Sequence, residues 1–211
     1  MIIELSSICA AYPQFRPRGV LHLGANEGQE LARYKKQGIT KVIFVEAIPE
    51  VFEKLVKLTG GDEAVTCIQA AVSNKTGVHT TMKVASNHGE SSSLHDFGTH
   101  ITHHPNVHFT HEVEVVLTRF EDLDVDMEGI NYLVTDLQGH DLFAMDGISD
   151  KDFDRFDAVY TEVSFEEVYK GCALFEPTNE YLEAKGFQLV ELAKAGGGSW
   201  GDAFYIRKTL L

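Results

Sequence analysis

Short apolar runs alternate with amphipathic stretches along most of the chain. Val20–Leu23, bounded by Gly19 and Gly24, reads as a buried strand. Leu31, Ala32, Tyr34 and Lys35 follow with helical spacing, closed by Gly38. Lys41–Val45, KVIFV, reads as a second strand. Pro49 then opens a helix with Val51, Phe52, Leu55, Val56 and Leu58 on its apolar face, stopped by Gly60-Gly61. Val65–Val72, VTCIQAAV, reads as a third buried strand, and Ser73–Gly77 as a turn. Arg119–Leu123 begins a short helix. Asn131–Leu137 and Asp157–Val163 are the fourth and fifth strands, with a helix starting at Leu142, Phe143 and Met145 between them. Tyr181–Lys185 reads as the helix before a closing pair of strands, Gly186–Leu192 and Ala203–Arg207. At the start, residues 1–15 predict a short helix closed by Pro13 and Pro17.

This alternation predicts an α/β fold, a doubly wound and mostly parallel sheet with helices on both faces and right-handed crossovers. Residues 78–116 break the rhythm. They are polar, rich in serine and histidine, and hold at most two extra strands, His79–Val84 and Val113–Leu117. A long segment of this kind inside a compact domain is often functional. The expectation is one domain over residues 1–211 with an inserted acceptor-side cover at about 78–116. In such sheets ligands bind beyond the carboxyl ends of the strands. Gly24, Glu46, Ala71, Asp136 and Glu162 all stand at strand ends and are expected to converge on one cleft.

The chain has 211 residues and a formal charge of −14. It has no lysine- or arginine-rich run, and a field of that sign repels nucleic acid and anionic lipid. The expected partner is therefore a small molecule, with no nucleic acid and no membrane span. Cys9, Cys67 and Cys172 are widely spaced and include no C-x-x-C pair. Free thiols in a reducing compartment, the cytoplasm, are the simplest account. The first residues, MIIELSSICAAYPQ, lack the basic region and long apolar core of a signal peptide.

The first strand runs into Gly24-Ala25-Asn26-Glu27-Gly28, a glycine-bearing turn before a helix. Such a turn lets a ligand approach the backbone, and a helix N-terminus presents free N–H groups. Glu46 follows Gly24 at about the 20-residue spacing at which a carboxylate meets ribose hydroxyls in dinucleotide sites. The fingerprint G-x-G-x-x-G is incomplete, however. Asn26 stands at the second glycine and Gln29 at the third. A side chain there obstructs a pyrophosphate but not S-adenosylmethionine, which has ribose and adenine without phosphate.

The segments VLHLGANEGQ and VIFVEAIPEVFEKL together resemble the opening of the FkbM-type methyltransferases, a branch of the class I S-adenosylmethionine-dependent enzymes. The likeness continues through AAVSNKTG, GESSSL, TRFEDL, YLVTDLQGHDLFAMDG, YTEV and GDAFYIRK. The resemblance implies a seven-stranded Rossmann-like methyltransferase sheet with the last strand antiparallel. It implies methyl transfer from S-adenosylmethionine, most often to an oxygen and frequently to a sugar hydroxyl. By position, Gly24, Ala25, Asn26 and Gly28 would line the amino-acid and ribose part of the cofactor. Glu46 would hold the ribose hydroxyls with Ala47 beside it, and Ile48 would pack on adenine, with Ala71 and Ser73 at its edge. Asp136 would sit beside the transferring methyl group.

The fourth strand departs from the family pattern Lys-(Ile/Val)-Asp-x-(Glu/Gln)-Gly-x-Glu. Leu133 or Val134 replaces the lysine, and Asp141 the final glutamate. Removing a proton from an alcohol needs a base, and the candidates are Asp136, His140, Asp141 and Glu162. His140 is a natural base if its pKa lies near neutral. Asp136 is weighed against a purely structural role as a cap of the following helix. Seven of the ten histidines lie between His88 and His111. They form no recognised metal signature and read as loop histidines, so no metal is expected. Tyr205 reads as core, and Trp200, after three glycines, as part of a mobile loop able to stack on a sugar. Two rival functions remain on the same residues. One is a non-catalytic cofactor-binding or assembly protein. The other is an NAD-linked or nucleotide-sugar enzyme, against which Asn26 argues.

Overall fold

A computed structural model describes all 211 residues. The chain order is α1 (Leu5–Ala11), β1 (Gly19–Leu23), α2 (Leu31–Lys36), β2 (Lys41–Glu46), α3 (Pro49–Thr59), β3 (Val65–Gln69), β4 (Ala71–Val72) and β5 (Val78–Ala85). It continues with α4 (His100–His103), β6 (Phe109–Thr118), β7 (Tyr132–Thr135), α5 (Asp141–Asp146), α6 (Asp150–Phe153), β8 (Ala158–Ser164), α7 (Phe175–Ala184), β9 (Phe187–Ala195) and β10 (Trp200–Arg207). Seven strands form the main sheet in the order β3-β2-β1-β7-β8-β10-β9. β10 runs antiparallel to both neighbours, and the other pairings are parallel.

Strand periodicity sorts the core onto two faces. Leu21, Leu23, Ile43, Val45 and Leu133 face α5, α6 and α7 through Ala144, Met145, Phe153 and Leu182. Val20, Val42, Phe44, Tyr132 and Val134 face α1, α2 and α3 through Leu5, Ile8, Tyr34 and Leu55. Helices therefore cover both faces, which is why the central strands read as continuous apolar runs rather than as alternating ones. Val134 is fully buried in that second face.

Three expectations are corrected. The run Val65–Val72 is two strands, not one. β3 pairs with β2 at the edge of the main sheet, while β4 pairs with β6 in a separate three-stranded sheet, β4-β6-β5. The turning point is Ala70, whose N–H still donates to the Glu46 carbonyl at 3.1 Å. Trp200 is the first residue of β10, paired with Ser164 and Ala195, and not part of a loop. The closing strands are longer than their apolar runs because the Gly196–Gly198 turn lets β9 and β10 pair almost to their ends.

Residues 78–116 build the second sheet with β4 and add the short helix α4. This sheet is not a detached flap. Met82, Val84, Val115 and Leu117 share a small apolar core with Ile48 and Val51 at the start of α3.

Candidate functional site

The strand ends and the inserted segment enclose a cavity of about 460 Å³. Of the site residues singled out from the sequence, Gly28, Ser73 and Asp141 stand outside its lining. Gly28 has φ +82°, and a Cβ there would lie 2.7 Å from Leu55 Cδ1. Its glycine serves close packing of the turn on α3. Gly24 also has φ +82°, and a Cβ on it would meet the Asp136 carbonyl oxygen at 2.0 Å. That glycine lets β1 and β7 end side by side.

The first residues of the turn after β1, Gly24 to Glu27, do not present free N–H groups. Gly24 and Ala25 both donate to the Val45 carbonyl, at 2.9 and 3.0 Å. Asn26 N–H donates to Glu46 Oε2 at 3.0 Å, and Glu27 N–H to the Asn26 side chain at 2.7 Å. Asn26 itself takes the left-handed φ of 47° that suits asparagine. These N–H groups are used up inside the protein, which agrees with Asn26 in disfavouring a dinucleotide.

Glu46 ends β2 and is buried. Its Oε1 accepts the Ile48 N–H at 2.8 Å, and its Oε2 accepts that of Asn26. Burial raises its pKa, and these N–H donors pull it back. Each oxygen keeps lone-pair capacity toward the cavity. Ile48, Ala71, Val72 and Met82 supply an apolar wall next to it. Two hydroxyl-binding oxygens beside an apolar slot suit a nucleoside without phosphates.

The opposite wall contains groups the sequence did not reveal. Gln138, in a left-handed turn at φ 51°, donates from Nε2 to Asp136 Oδ1 at 2.5 Å and to Glu162 Oε2 at 3.2 Å. The Tyr169 hydroxyl donates to the Gln138 Oε1. One amide thus clamps two candidate carboxylates, held in turn by a buried tyrosine. Burial and the nearby Asp141 charge raise Asp136 to about 7, against the pull of Gln138. Burial and the charge of Asp136 push Glu162 well above the usual carboxylate range. Asp202, opposite Glu162 across the β8–β10 pair, accepts from the Ile2 N–H and the Tyr160 hydroxyl. Asp141 accepts the Leu137 N–H at 3.0 Å, so the anchoring role weighed for Asp136 falls to Asp141.

His140 is not the free near-neutral imidazole that its position by a turn suggested. Its Nδ1 meets His95 Nε2 and its Nε2 meets Ser73 Oγ, both at 3.0 Å. His95 Nδ1 faces the Lys170 carbonyl at 3.0 Å, which can only accept. That contact fixes the direction of the whole chain, with His95 and His140 both neutral and Ser73 donating to His140. Burial drops His140 to about 3, helped by His95. Ser73 therefore acts behind the wall rather than in it. None of the histidine, cysteine and carboxylate groups forms a cluster able to hold a metal ion.

Residues 22–189 match the methyltransferase FkbM domain. The chain belongs to the FkbM methyltransferase family. Its methyl donor is S-adenosylmethionine, in keeping with the Glu46 pocket and the consumed N–H groups of the first turn. Among solved structures, a chain named as an S-adenosylmethionine-dependent methyltransferase from Listeria monocytogenes superposes with a TM-score of 0.56 at 12% identity, covering 97% of each chain. One named as an RNA methyltransferase from Pyrococcus horikoshii gives 0.52 at 12% identity, covering 97% of this chain and 80% of that one. At such identities these two show the shared fold. No curated protein matches the chain. No helix is long and apolar enough to cross a membrane.

The sequence missed Gln138, Tyr169, Asp202 and His95. Gln138 and Asp202 lay inside motifs already quoted, YLVTDLQGHDLFAMDG and GDAFYIRK, and that was their only signal. Nothing in the sequence marks Tyr169 or distinguishes His95 from its neighbours.

Proposed function

We propose that this methyltransferase acts on a hydroxyl oxygen of a carbohydrate or other small molecule, with Asp136 as the base. The observation that carries this reading is Asp136 itself, in the cavity wall at the end of β7, with a pKa lifted to about 7. A base of that strength is matched to proton removal near neutral pH. S-adenosylmethionine supplies an electrophilic methyl carbon on a sulfonium.

The chain's residues bind and orient. Gly24, Ala25 and Asn26 wall the amino-acid and ribose end, with Glu46 accepting from ribose hydroxyls and Ala47 beside it. Ile48 and Ala71 hold adenine. Gln138 fixes the spacing of Asp136 and Glu162 through a single amide. Because each carboxylate disfavours ionisation of the other, the pair keeps one proton while the second leaves. Glu162 holds that proton, and Asp136 takes the one from the acceptor. The cover residues Ser91 and Ser92 and the ring of Tyr169 close the site from water, where fixed charges act most strongly. The three free thiols support a reducing, cytoplasmic setting.

The test is Asp136→Asn. Transfer falls by at least ~100-fold, the scale of one acid–base group, while calorimetry shows unchanged S-adenosylmethionine affinity. Stability follows the sign of the shift. A carboxyl raised from 3.8 to about 7 contributes stability below pH 3.8 that is lost as pH rises through about 7. The thermal midpoint of the variant relative to the parent therefore rises between pH 4 and pH 8. Retained activity with a lowered midpoint at every pH would overturn the assignment and leave Asp136 a structural anchor.

A further inference from the structure

The polar lining of the cavity is mostly acidic. Glu30, Glu46, Glu90, Asp136, Glu162 and Asp202 line it, no lysine or arginine does, and the positive charge beside them is the amino terminus at Met1, which acts on Asp136. Proteins hold anions with such cations or with free backbone N–H groups. The N–H groups at the start of the first turn and in the cover turn offer no substitute here. The four from Gly24 to Glu27 are all bonded internally at 2.7–3.0 Å. Those of the facing cover turn are bonded too. Gly89 donates to Ala85, Glu90 to the Asn87 carbonyl, Ser91 to the Asn87 side chain and Ser92 to Gly89.

The lining histidines do not supply the missing charge. Burial holds His22 and His140 near 3 and His100 near 4, so all three are neutral. His104 is exposed at the rim. His100 is 3% exposed and its Nε2 meets Ser91 Oγ at 3.2 Å. The cofactor, with a sulfonium, an ammonium and one carboxylate, brings one net positive charge and offsets only part of this field.

We propose that the acceptor is a hydroxyl compound without phosphate, sulfate or carboxylate groups, either uncharged or bearing an amine, received by the cavity's carboxylates. This rests on the methyl-transfer reading above and narrows it. Nucleic acids and nucleotide-linked sugars are repelled from such a wall, whereas neutral glycosides, polyols and amino sugars are not.

The experiment incubates the full chain with S-adenosylmethionine tritiated in the methyl group and an extract of the source cells holding both small metabolites and RNA. Products are separated on an anion exchanger at pH 8, and label in each fraction is counted above that of a control without protein, because the donor itself is cationic and unretained. Label in the unretained fraction, at least tenfold above that retained, is the expected result. Label held by the exchanger, on RNA or on phosphorylated small molecules, overturns the inference and leaves the methyl-transfer reading intact. No label in either fraction, from protein shown by calorimetry to bind S-adenosylhomocysteine, overturns that reading and this inference with it. As a readout apart from activity, sodium pyrophosphate is titrated into the protein saturated with S-adenosylhomocysteine. No binding is expected, and a Kd below about 1 mM overturns the proposal.

Discussion

The two walls of the cavity are assembled in different ways. Gly24–Asn26 and Glu46–Ile48 belong to one β-turn-α-β unit, and the hydrogen bonds that shape them join residues near in sequence. Glu46 binds the N–H groups of Asn26 and Ile48. The facing wall draws on the cover, on the turns after β7 and β8, and on β10. Its bonds join Gln138 to Glu162, Tyr169 to Gln138 and Ser93 to the Gln138 carbonyl. The first wall is a local device that a strand–turn–helix pattern announces. The second exists only once distant segments have met. On the proposed function, the first is fitted to one invariant molecule, and the second carries whatever distinguishes one acceptor from another.

The largest effect should come where the walls meet. Gly24→Ala forces a Cβ against the Asp136 carbonyl in a left-handed conformation, and the cost should exceed about 3 kcal/mol. Urea unfolding checks this. A variant of parental stability would show that the two strand ends are not held in contact.

Glu46→Ala separates the walls. S-adenosylmethionine affinity should fall by roughly 2–3 kcal/mol, the scale for hydrogen bonds to a charged group. Calorimetry on the folded variant decides it, and unchanged affinity would remove Glu46 from the ribose.

Gln138→Leu should act on the other wall alone. The rate is expected to fall about tenfold, or ~1.4 kcal/mol, with cofactor affinity unchanged. The Gln138 amide favours the charged form of Asp136, so its loss raises that pKa further. The acid limb of the pH–rate profile should therefore move to higher pH. A profile that stays in place would mean the titrating base is not Asp136.

The smallest effect belongs to the histidine chain behind the wall. His95→Leu strands the His140 N–H, costing about 1 kcal/mol near neutral pH. Burial lowers the pKa of both rings. An unfolded chain binds protons to them below about pH 6.5, so acid destabilises the parent from there down. The variant lacks one of these rings, and the gap between the two melting curves should narrow from pH 7 to pH 5. A gap independent of pH would mean His95 is charged in the folded protein.

Much of this fold was legible because its strands announce themselves. Val20–Leu23, Lys41–Val45 and Asp157–Val163 are apolar runs between turn residues, and buried parallel strands must look that way. The run Val65–Val72 misled for the same reason. Apolar residues report burial and say nothing about which sheet buries them, so the switch at Ala70 left no mark. His140 misled differently. It is a candidate base on the condition of a near-neutral pKa, but His95, 45 positions earlier, folds over it.

Sequence alone determined the layered α/β architecture, the family and the outline of the first wall through periodicity and local turn chemistry, which act between residues a few positions apart. It also named Asp136 and Glu162. Tertiary structure decided what those carboxylates are. Their protonation depends on burial and on a shared amide, and burial is a property of the assembled sheet rather than of any stretch of chain. It likewise decided that Gly24 to Glu27 spend their N–H groups internally, and that six carboxylates with no lysine or arginine face the same space. The −14 formal charge is a sum over the whole chain. Only the fold determines where in the molecule that charge is concentrated.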